Sequence, residues 1–364
     1  MKTELSGIQN IVKASEKALS YTSRGNKLVY HPEQIESFLN KEGHSIVSAH
    51  IAPTNKCNLS CDYCNQSNRT KGATLSLKTI QDFVLMLKER GLKAVIVTGG
   101  GEPTFYPQFN TLVNWLKEKN LKLGLITNGT NDICGKEKVN VWDDFNWIRV
   151  SLNFLNGKLR EVKVPQIKGD LGFSMVFQKQ DPEVFKQVRN VADNLKAKYV
   201  RILPDCTLSE ADMKKEYDNI HEIVDKLNDN RFFVQDKIPA QAVLPECHQS
   251  NLRPFLQATG QVAPCDCFML NKNENGEAFR ELIDKFDVLS DPGNPLSYVD
   301  YLEGRYKPNF NPQHDCNGCA FVENNGILQS LVDLKHGKPD AKVEELFDII
   351  GLKPDESVSH KEFI

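Results

Sequence analysis

The sequence has no apolar run long enough to span a membrane. Its longest apolar runs are strand-sized, against the roughly 20 residues a spanning helix needs. It opens MKTELSGIQNIVKASEK, which has neither an apolar core nor a cleavage pattern, so no secretory leader is expected. It has no excess of positive charge: 45 Lys and Arg stand against 48 Asp and Glu, a formal net charge of −3. Bulk electrostatic binding of nucleic acid is therefore not expected. There is no internal repeat and no low-complexity tract. A soluble, cytoplasmic protein is the expectation. With 364 residues, 40% of them apolar, the chain has material for a substantial core, in two domains or one large domain with an appendage.

Cysteine, by contrast, is plentiful. Ten cysteines would be many for disulfides in a reducing compartment. They fall in groups: 57, 61 and 64, then 247, 265 and 267, then 316 and 319, with Cys134 and Cys206 standing apart. Grouped cysteines without secretion read as metal or cluster ligands.

Residues 1–46 form a polar N-terminal extension, helical in places, with Pro32 at a plausible first helical turn. From 47 to 240 the chain alternates. Runs rich in β-branched residues at 46–53, 93–100, 122–129, 147–153, 172–178 and 198–205 are separated by amphipathic stretches such as 77–91 and 107–120. In the latter, Phe109, Leu112, Val113 and Leu116 recur at helical spacing. Both stretches end in a charged turn followed by Gly or Asn. Strand–helix–strand alternation implies a parallel sheet with crossover helices. Six such units do not complete an eight-fold barrel. The expected fold is therefore α/β, a partial (β/α)6 barrel, with an open doubly wound sheet as the alternative. Either places ligands at the C-terminal ends of the strands. Residues 241–335, rich in Pro, Gly and Asn and holding five cysteines, read as a small cluster-binding domain. Residues 336–364 read as a C-terminal helix and a polar tail.

In NKCNLSCDYCN, 55–65, three thiols follow the first strand at spacing C-x3-C-x2-C. Three thiolates can hold three irons of a [4Fe–4S] cubane and leave the fourth open. A zinc site wants four ligands, and His50 is a candidate for the fourth. Packing as small hydrophobes is a further alternative. At the end of the second strand, VTGGGEPT (97–104) offers three glycines that permit close backbone approach, and then the carboxylate of Glu102.

The three-cysteine spacing, with Tyr63 before the last cysteine, resembles the radical S-adenosylmethionine (radical SAM) superfamily. The resemblance implies that Cys57, Cys61 and Cys64 hold a [4Fe–4S] cluster whose fourth ligand is SAM. Reductive cleavage of SAM then yields a 5′-deoxyadenosyl radical, which abstracts a hydrogen atom from the substrate. GGE is similar to a family motif in which Gly100 and Gly101 line the methionine site and Glu102 receives the SAM ammonium by a charge-assisted hydrogen bond. Asn128 of TNG, Ser151 and Asn153 of VSLN, and Arg201 of RILP match later strand-end patterns and are expected beside SAM. Many family members carry Asp where this chain has Asn153. Tyr63 and the 176–180 stretch are candidates for adenine contacts. For the later strand-end residues the plainer reading is a polar residue capping a strand.

The later cysteines make two pairs, Cys247 with Cys265 and Cys316 with Cys319. Four thiols can close around a second cubane or around zinc. C-x12-G-x4-C followed by C-x2-C resembles the twitch domain, a truncated relative of the SPASM domain, and implies one auxiliary [4Fe–4S] cluster on these four. Cys267 is then left over, as an alternate ligand, a hydrogen-atom or proton donor, or a buried thiol. Cys134 and Cys206 read as structural. His248 and His314 read as hydrogen-bond donors to cluster sulfur rather than as ligands.

The implied activity is that of a radical SAM enzyme, of oxidoreductase or carbon-bond-forming type. Its substrate would be a sugar, cyclitol or nucleotide-linked small molecule, with the auxiliary cluster accepting an electron. Asp205 and Cys267 are the candidate catalytic residues, for proton or hydrogen-atom transfer. A flavodoxin or ferredoxin is the implied electron donor. A maturase of a ribosomally made peptide is the alternative, although residues 1–46 leave little room for the separate recognition domain such enzymes often carry. A non-catalytic iron–sulfur or zinc protein is the third reading, and Glu102 beside an open three-cysteine site argues against it.

Overall fold

The computed structural model describes residues 16–67, 69–131, 141–152, 154–155, 158–178, 183–235, 244, 246–267, 289–291, 293–308, 311–316, 319 and 321–364. The chain divides into two compact units. A barrel unit is built from Ala52–Leu77 and Ile96–Ile238; a terminal unit is built from Met1–Ile51, Lys78–Val95 and Pro239–Ile364. In chain order the strands are β1 (Ser48–Ile51), β2 (Ala94–Val97), β3 (Lys122–Thr127), β4 (Trp147–Leu152), β5 (Phe154–Leu155), β6 (Lys158–Leu159), β7 (Asp170–Phe177), β8 (Tyr199–Pro204), β9 (Phe232–Val234), β10 (Phe255–Leu256) and β11 (Val262–Ala263).

Within the barrel unit, β3, β4, β7, β8 and β9 lie side by side and all run parallel. The sheet does not close on itself. This is the α/β partial barrel that the alternation predicts. Helix Phe109–Glu118 buries Phe109, Leu112, Val113 and Leu116, the residues its periodicity singles out, and Asn120 follows it in the left-handed region. Register puts Ser151, Ser174 and Arg201 on one rung. Two residues earlier on the same face, a Cβ on Gly172 would lie 2.1 Å from the Tyr199 ring. The aromatic ring thus takes the glycine's side-chain space and fills that end of the face, leaving the polar rung toward the C-terminal strand ends.

The terminal unit gathers distant stretches of sequence. Leu28, Ile35, Leu252, Leu328, Leu346 and Ile364 share one core, drawn in part from helices Pro32–Asn40, Val322–Gly337 and Val343–Ile349. Pro32 occupies the first turn of its helix, as expected. The stretch read as a polar tail also carries buried Val358 and Phe363. Buried Lys27 donates to the carbonyls of Ser20, His360 and Phe363 at 2.7, 3.1 and 3.3 Å. Strand β10 pairs parallel to β1, and β11 turns back antiparallel on it. Gly260, at φ +88°, makes the tight turn expected between Cys247 and Cys265. Strands β9 to β11, only two or three residues long, are too short to show a period in the sequence. Among the described residues no helix is long and apolar enough to cross a membrane.

His31 makes this core sensitive to acid. It is buried, its Nε2 meets the Lys361 carbonyl at 2.9 Å, and Lys93 Nζ lies 3.3 Å from its Nδ1. Burial, aided by the Lys93 charge, lowers its pKa from 6.5 to about 4 against the opposing pull of the Lys361 carbonyl. Between those values the unfolded chain binds the proton and the folded one does not, so stability falls as pH drops from 6.5 toward 4. At roughly 1.4 kcal/mol per pKa unit, the loss approaches about 3 kcal/mol. Denaturant midpoints at pH 7 and pH 5 should therefore separate more for the native chain than for His31→Gln. Equal separations would remove His31 as the source.

Candidate active site in the cysteine loop

The loop that carries the first three cysteines is closed at its base by backbone bonds. Asn55 N donates to Ala73 O at 2.8 Å and Leu75 N to Pro53 O at 3.0 Å. The hydroxyls of Thr54 and Thr74 meet at 2.9 Å. Further out, Asn55 Nδ2 donates to Thr70 O at 2.8 Å. Arg69 crosses the loop, giving Nε to Asn55 O at 3.1 Å and Nη1 to Gln66 O at 2.9 Å. Turns set the cysteine end: Cys64 N donates to Cys61 O, and Ser67 N to Cys64 O.

This loop rests on the glycines that follow β2. Gly101 N donates to Thr54 O at 3.1 Å and Glu102 N to Lys56 O at 2.8 Å. A Cβ on Gly100 would lie 1.8 Å from Asn55 Oδ1, and one on Gly101 2.1 Å from Lys56 O. From the sequence these glycines read as room for a ligand. In the structure their Cβ space is taken by the cysteine loop itself.

Glu102 is buried just behind. Its Oε1 accepts from Thr104 N, Thr104 Oγ1 and Thr127 Oγ1 at 3.1, 2.7 and 2.7 Å. Its Oε2 accepts from Asn128 N at 2.6 Å. Burial raises the Glu102 pKa, and these four donors oppose that by favouring the carboxylate. A carboxylate oxygen has two lone pairs. Among the described partners Oε2 uses one, which leaves an acceptor for a cation.

The thiols sense one another. Burial raises the pKa of Cys57 and of Cys61, and Cys64 adds to both shifts. Leu59 N donates to Cys57 Sγ at 3.4 Å, and Arg69 Nη1 lies 3.8 Å from Cys64 Sγ. The Tyr63 hydroxyl bonds the Cys61 sulfur; burial first, and then Cys61, raises the tyrosine's own pKa. Three thiols supplied with donors that favour the thiolate fit the ligand set of an iron–sulfur cluster.

The remaining expected residues divide. Asn128 Nδ2 donates to Asn58 Oδ1 at 2.9 Å, and Asn58 Nδ2 to Thr130 Oγ1 at 2.9 Å, so this side chain ties the β3 end to the cysteine loop. Arg201 gives Nε and Nη2 to Ser174 Oγ at 3.3 and 2.9 Å and Nη1 to Gln235 Oε1, on the rung that includes Ser151. Asp205 accepts from Thr207 N and Oγ1 at 2.9 and 2.7 Å and from Gln178 Nε2 at 3.3 Å, and its charge reaches Tyr63. Asn153, Cys134, residues 179–180 and the side chain of His314 lie outside the described residues. Sequence reading missed Asn55, Asn58, Arg69, Thr104 and Thr127. Single polar residues near a motif carry no spacing signal, although Thr104 follows Glu102 closely enough to suggest a side-chain-capped turn.

The later cysteines come together within the terminal unit. Burial pushes Cys247 up to about 11, with Cys319 the next cause. Cys265 is raised well above its ordinary value by burial, then by Cys267, Asp266, Cys247 and Cys316. Cys319 Sγ accepts from Phe321 N at 3.3 Å and Asn325 Nδ2 at 3.6 Å. His248 Nε2 pairs with Gln329 Oε1 at 2.8 Å, and Ser250 and Asn325 donate toward Cys247. His50 Nε2 lies 3.1 Å from Arg253 Nη1, and its Nδ1 faces Asp266 Oδ2 at 3.8 Å. Nε2 is thereby engaged by Arg253, while Nδ1 faces Asp266 beyond hydrogen-bond distance.

Comparison with known proteins agrees with the loop's chemistry. Residues 51–167 match the family model of the radical SAM superfamily. A probable GTP 3′,8-cyclase of Pyrococcus horikoshii is 30% identical over 121 residues, 33% of this chain and 38% of that protein. An S-adenosylmethionine-dependent nucleotide dehydratase of Selenomonas ruminantium is 31% identical over 113 residues, 31% of this chain and 40% of that protein. The matches thus span about two fifths of these relatives. The crystal structure of Streptococcus suis SuiB bound to precursor peptide SuiA shares the fold, with TM-score 0.51 and 16% identity over 72% of this chain and 67% of that one.

Gly101→Ala tests the seat of the loop. Its Cβ would strike backbone atoms of Asn55 and Lys56 at 2.5 and 2.1 Å, and backbone cannot rotate aside. The variant should keep its circular dichroism yet lose about four irons per chain after reconstitution, one cubane's worth. Gly326→Ala, where a Cβ meets nothing within 4 Å, should keep them. Full iron in Gly101→Ala would refute the steric argument.

Proposed function

We propose that this chain, whose residues 51–167 match the family model of the radical SAM superfamily, is an enzyme that abstracts a hydrogen atom from a nucleotide-linked small molecule. The observation that carries this reading is the three-thiol loop seated on Gly100 and Gly101 with Glu102 fixed behind it. Cys57, Cys61 and Cys64 would hold a [4Fe–4S] cluster. When bound, cluster and SAM supply one electron and a 5′-deoxyadenosyl radical. Glu102 would hold the SAM ammonium through Oε2, the oxygen with an acceptor to spare. Arg201, held by Ser174 and Gln235, presents a fixed positive charge suited to the SAM carboxylate, with Ser151 on its rung. Tyr63 braces Cys61 rather than the adenine.

Cys247, Cys265, Cys316 and Cys319 would hold the auxiliary cluster as an electron exit. Cys267 shares that group, which favours its reading as an alternate ligand over hydrogen-atom donor. Asp205, aimed by Thr207 and Gln178 and within reach of Tyr63's environment, is the group we assign to take the substrate proton. A flavodoxin or ferredoxin would deliver the first electron. The nucleotide direction is supported by the names of the curated relatives, a GTP cyclase and a nucleotide dehydratase. A peptide substrate rests only on a likeness of fold to SuiB.

Anaerobic reconstitution with iron and sulfide, followed by iron counting and EPR with and without SAM, tests this directly. About eight irons and two signals, one shifted by SAM, are expected. About four irons with SAM sensitivity would remove the electron exit. No SAM-sensitive signal in folded, iron-loaded protein would sink the enzyme reading. Glu102→Gln should keep its iron and bind SAM about 10- to 100-fold more weakly, the loss of one charge-assisted hydrogen bond. Unchanged affinity would remove Glu102 from the SAM site.

A further inference from the structure

We infer that Arg253 is a positioning residue for the auxiliary cysteine group: its buried guanidinium joins the two cysteine segments and favours the one-electron-reduced state of the cluster they hold. This rests on the auxiliary-cluster reading above.

Arg253 is 3% exposed, and an arginine is almost never that buried unless paired. Its Nη1 donates to Ser23 Oγ and to His50 Nε2, each at 3.1 Å. An imidazole accepting at Nε2 is neutral and carries its proton on Nδ1, the nitrogen that faces Asp266. Arg253 Nη2 lies 3.7 Å from Asp266 Oδ1, and the guanidinium stacks 4.5 Å from the centre of the Phe321 ring. Both neighbours lead to cysteine. Asp266 stands between Cys265 and Cys267, and Phe321 N donates to Cys319 Sγ. One cation therefore touches residues adjoining ligands from both segments.

Stability alone explains this arrangement poorly. A buried ion pair is often no more stabilising than apolar residues of the same volume. A four-thiolate cubane is anionic and gains a further negative charge on reduction. In an interior of low dielectric a fixed cation nearby lowers the cost of that charge. Arginine suits the place because it stays protonated and stacks on an aromatic ring. In the proposed reaction the electron enters from the substrate-centred radical as that radical gives up its proton, and leaves to a carrier of the flavodoxin or ferredoxin class. The bonds to His50 and Ser23 hold the guanidinium in line.

The test is an EPR-monitored reductive titration of the reconstituted full chain and of Arg253→Met, Arg253→Lys and Asp266→Asn, reading the midpoint of the SAM-insensitive signal. Arg253→Met should move it to a more negative potential and Asp266→Asn to a more positive one. Arg253→Lys should stay near the native value, and the SAM-sensitive signal should not move in any variant. If Arg253→Met cannot hold the second cluster, Asp266→Asn decides: a positive shift supports the inference and none overturns it. An unmoved midpoint in Arg253→Met with full iron, or shifts of the same sign in Arg253→Met and Asp266→Asn, would overturn it. Zinc in place of a second cluster in the native chain would overturn it too, and would show that the auxiliary reading itself had failed.

Discussion

Everything proposed for the first site depends on two backbone hydrogen bonds, Gly101 N to Thr54 O and Glu102 N to Lys56 O. They join the end of β2 to the stem of the cysteine loop at a distance that no side chain on Gly100 or Gly101 would allow. The loop has little apolar surface of its own to bury. Its position follows from this close approach, from the Thr54–Thr74 contact at its base and from Arg69 across its middle. The same approach brings Glu102 beneath the loop, where Thr104, Thr127 and Asn128 N fix its carboxylate.

The two cysteine groups live in different surroundings. Cys57 is exposed and Cys61 and Cys64 are half-buried, so the first group keeps an open side, as a cluster must if one iron is to take a small-molecule ligand. Cys247, Cys265, Cys267, Cys316 and Cys319 are all half-buried, with Tyr298 and Tyr301 near Cys247, Asn325 on Cys319 and the charges around Arg253 beside Asp266. Burial dominates the upward shifts of Cys247 and Cys265 there.

Much of this was legible in the sequence, for identifiable reasons. Parallel strands buried on both faces read as continuous apolar runs, and all six predicted runs became strands. Helix Phe109–Glu118 was legible from its four apolar positions, and the cysteine loop from its spacing and its place after β1. The partners that make a site work were not legible. Arg69 and Asn58 reach their targets through a loop whose path no pattern encodes, and Arg253 meets His50 across 203 residues. Short strands such as β10 and β11 are held by neighbours rather than by propensity, so nothing local announces them. The glycines of GGGE stand out in the sequence, but what fills the space above them depends on tertiary packing.

Lys27 and the carbonyl of Phe363 are 336 positions apart in sequence, and Ile364 shares a core with Leu28. The terminal unit therefore cannot finish folding on the ribosome until residues near 364 have emerged. By then the whole of the barrel unit, which ends at Ile238, has been available to fold. Such long-range closure is slow. It also orders assembly in time: the first cysteine loop can take shape before the residues near 364 have emerged, whereas the core of the unit that carries the later cysteines cannot close until they have.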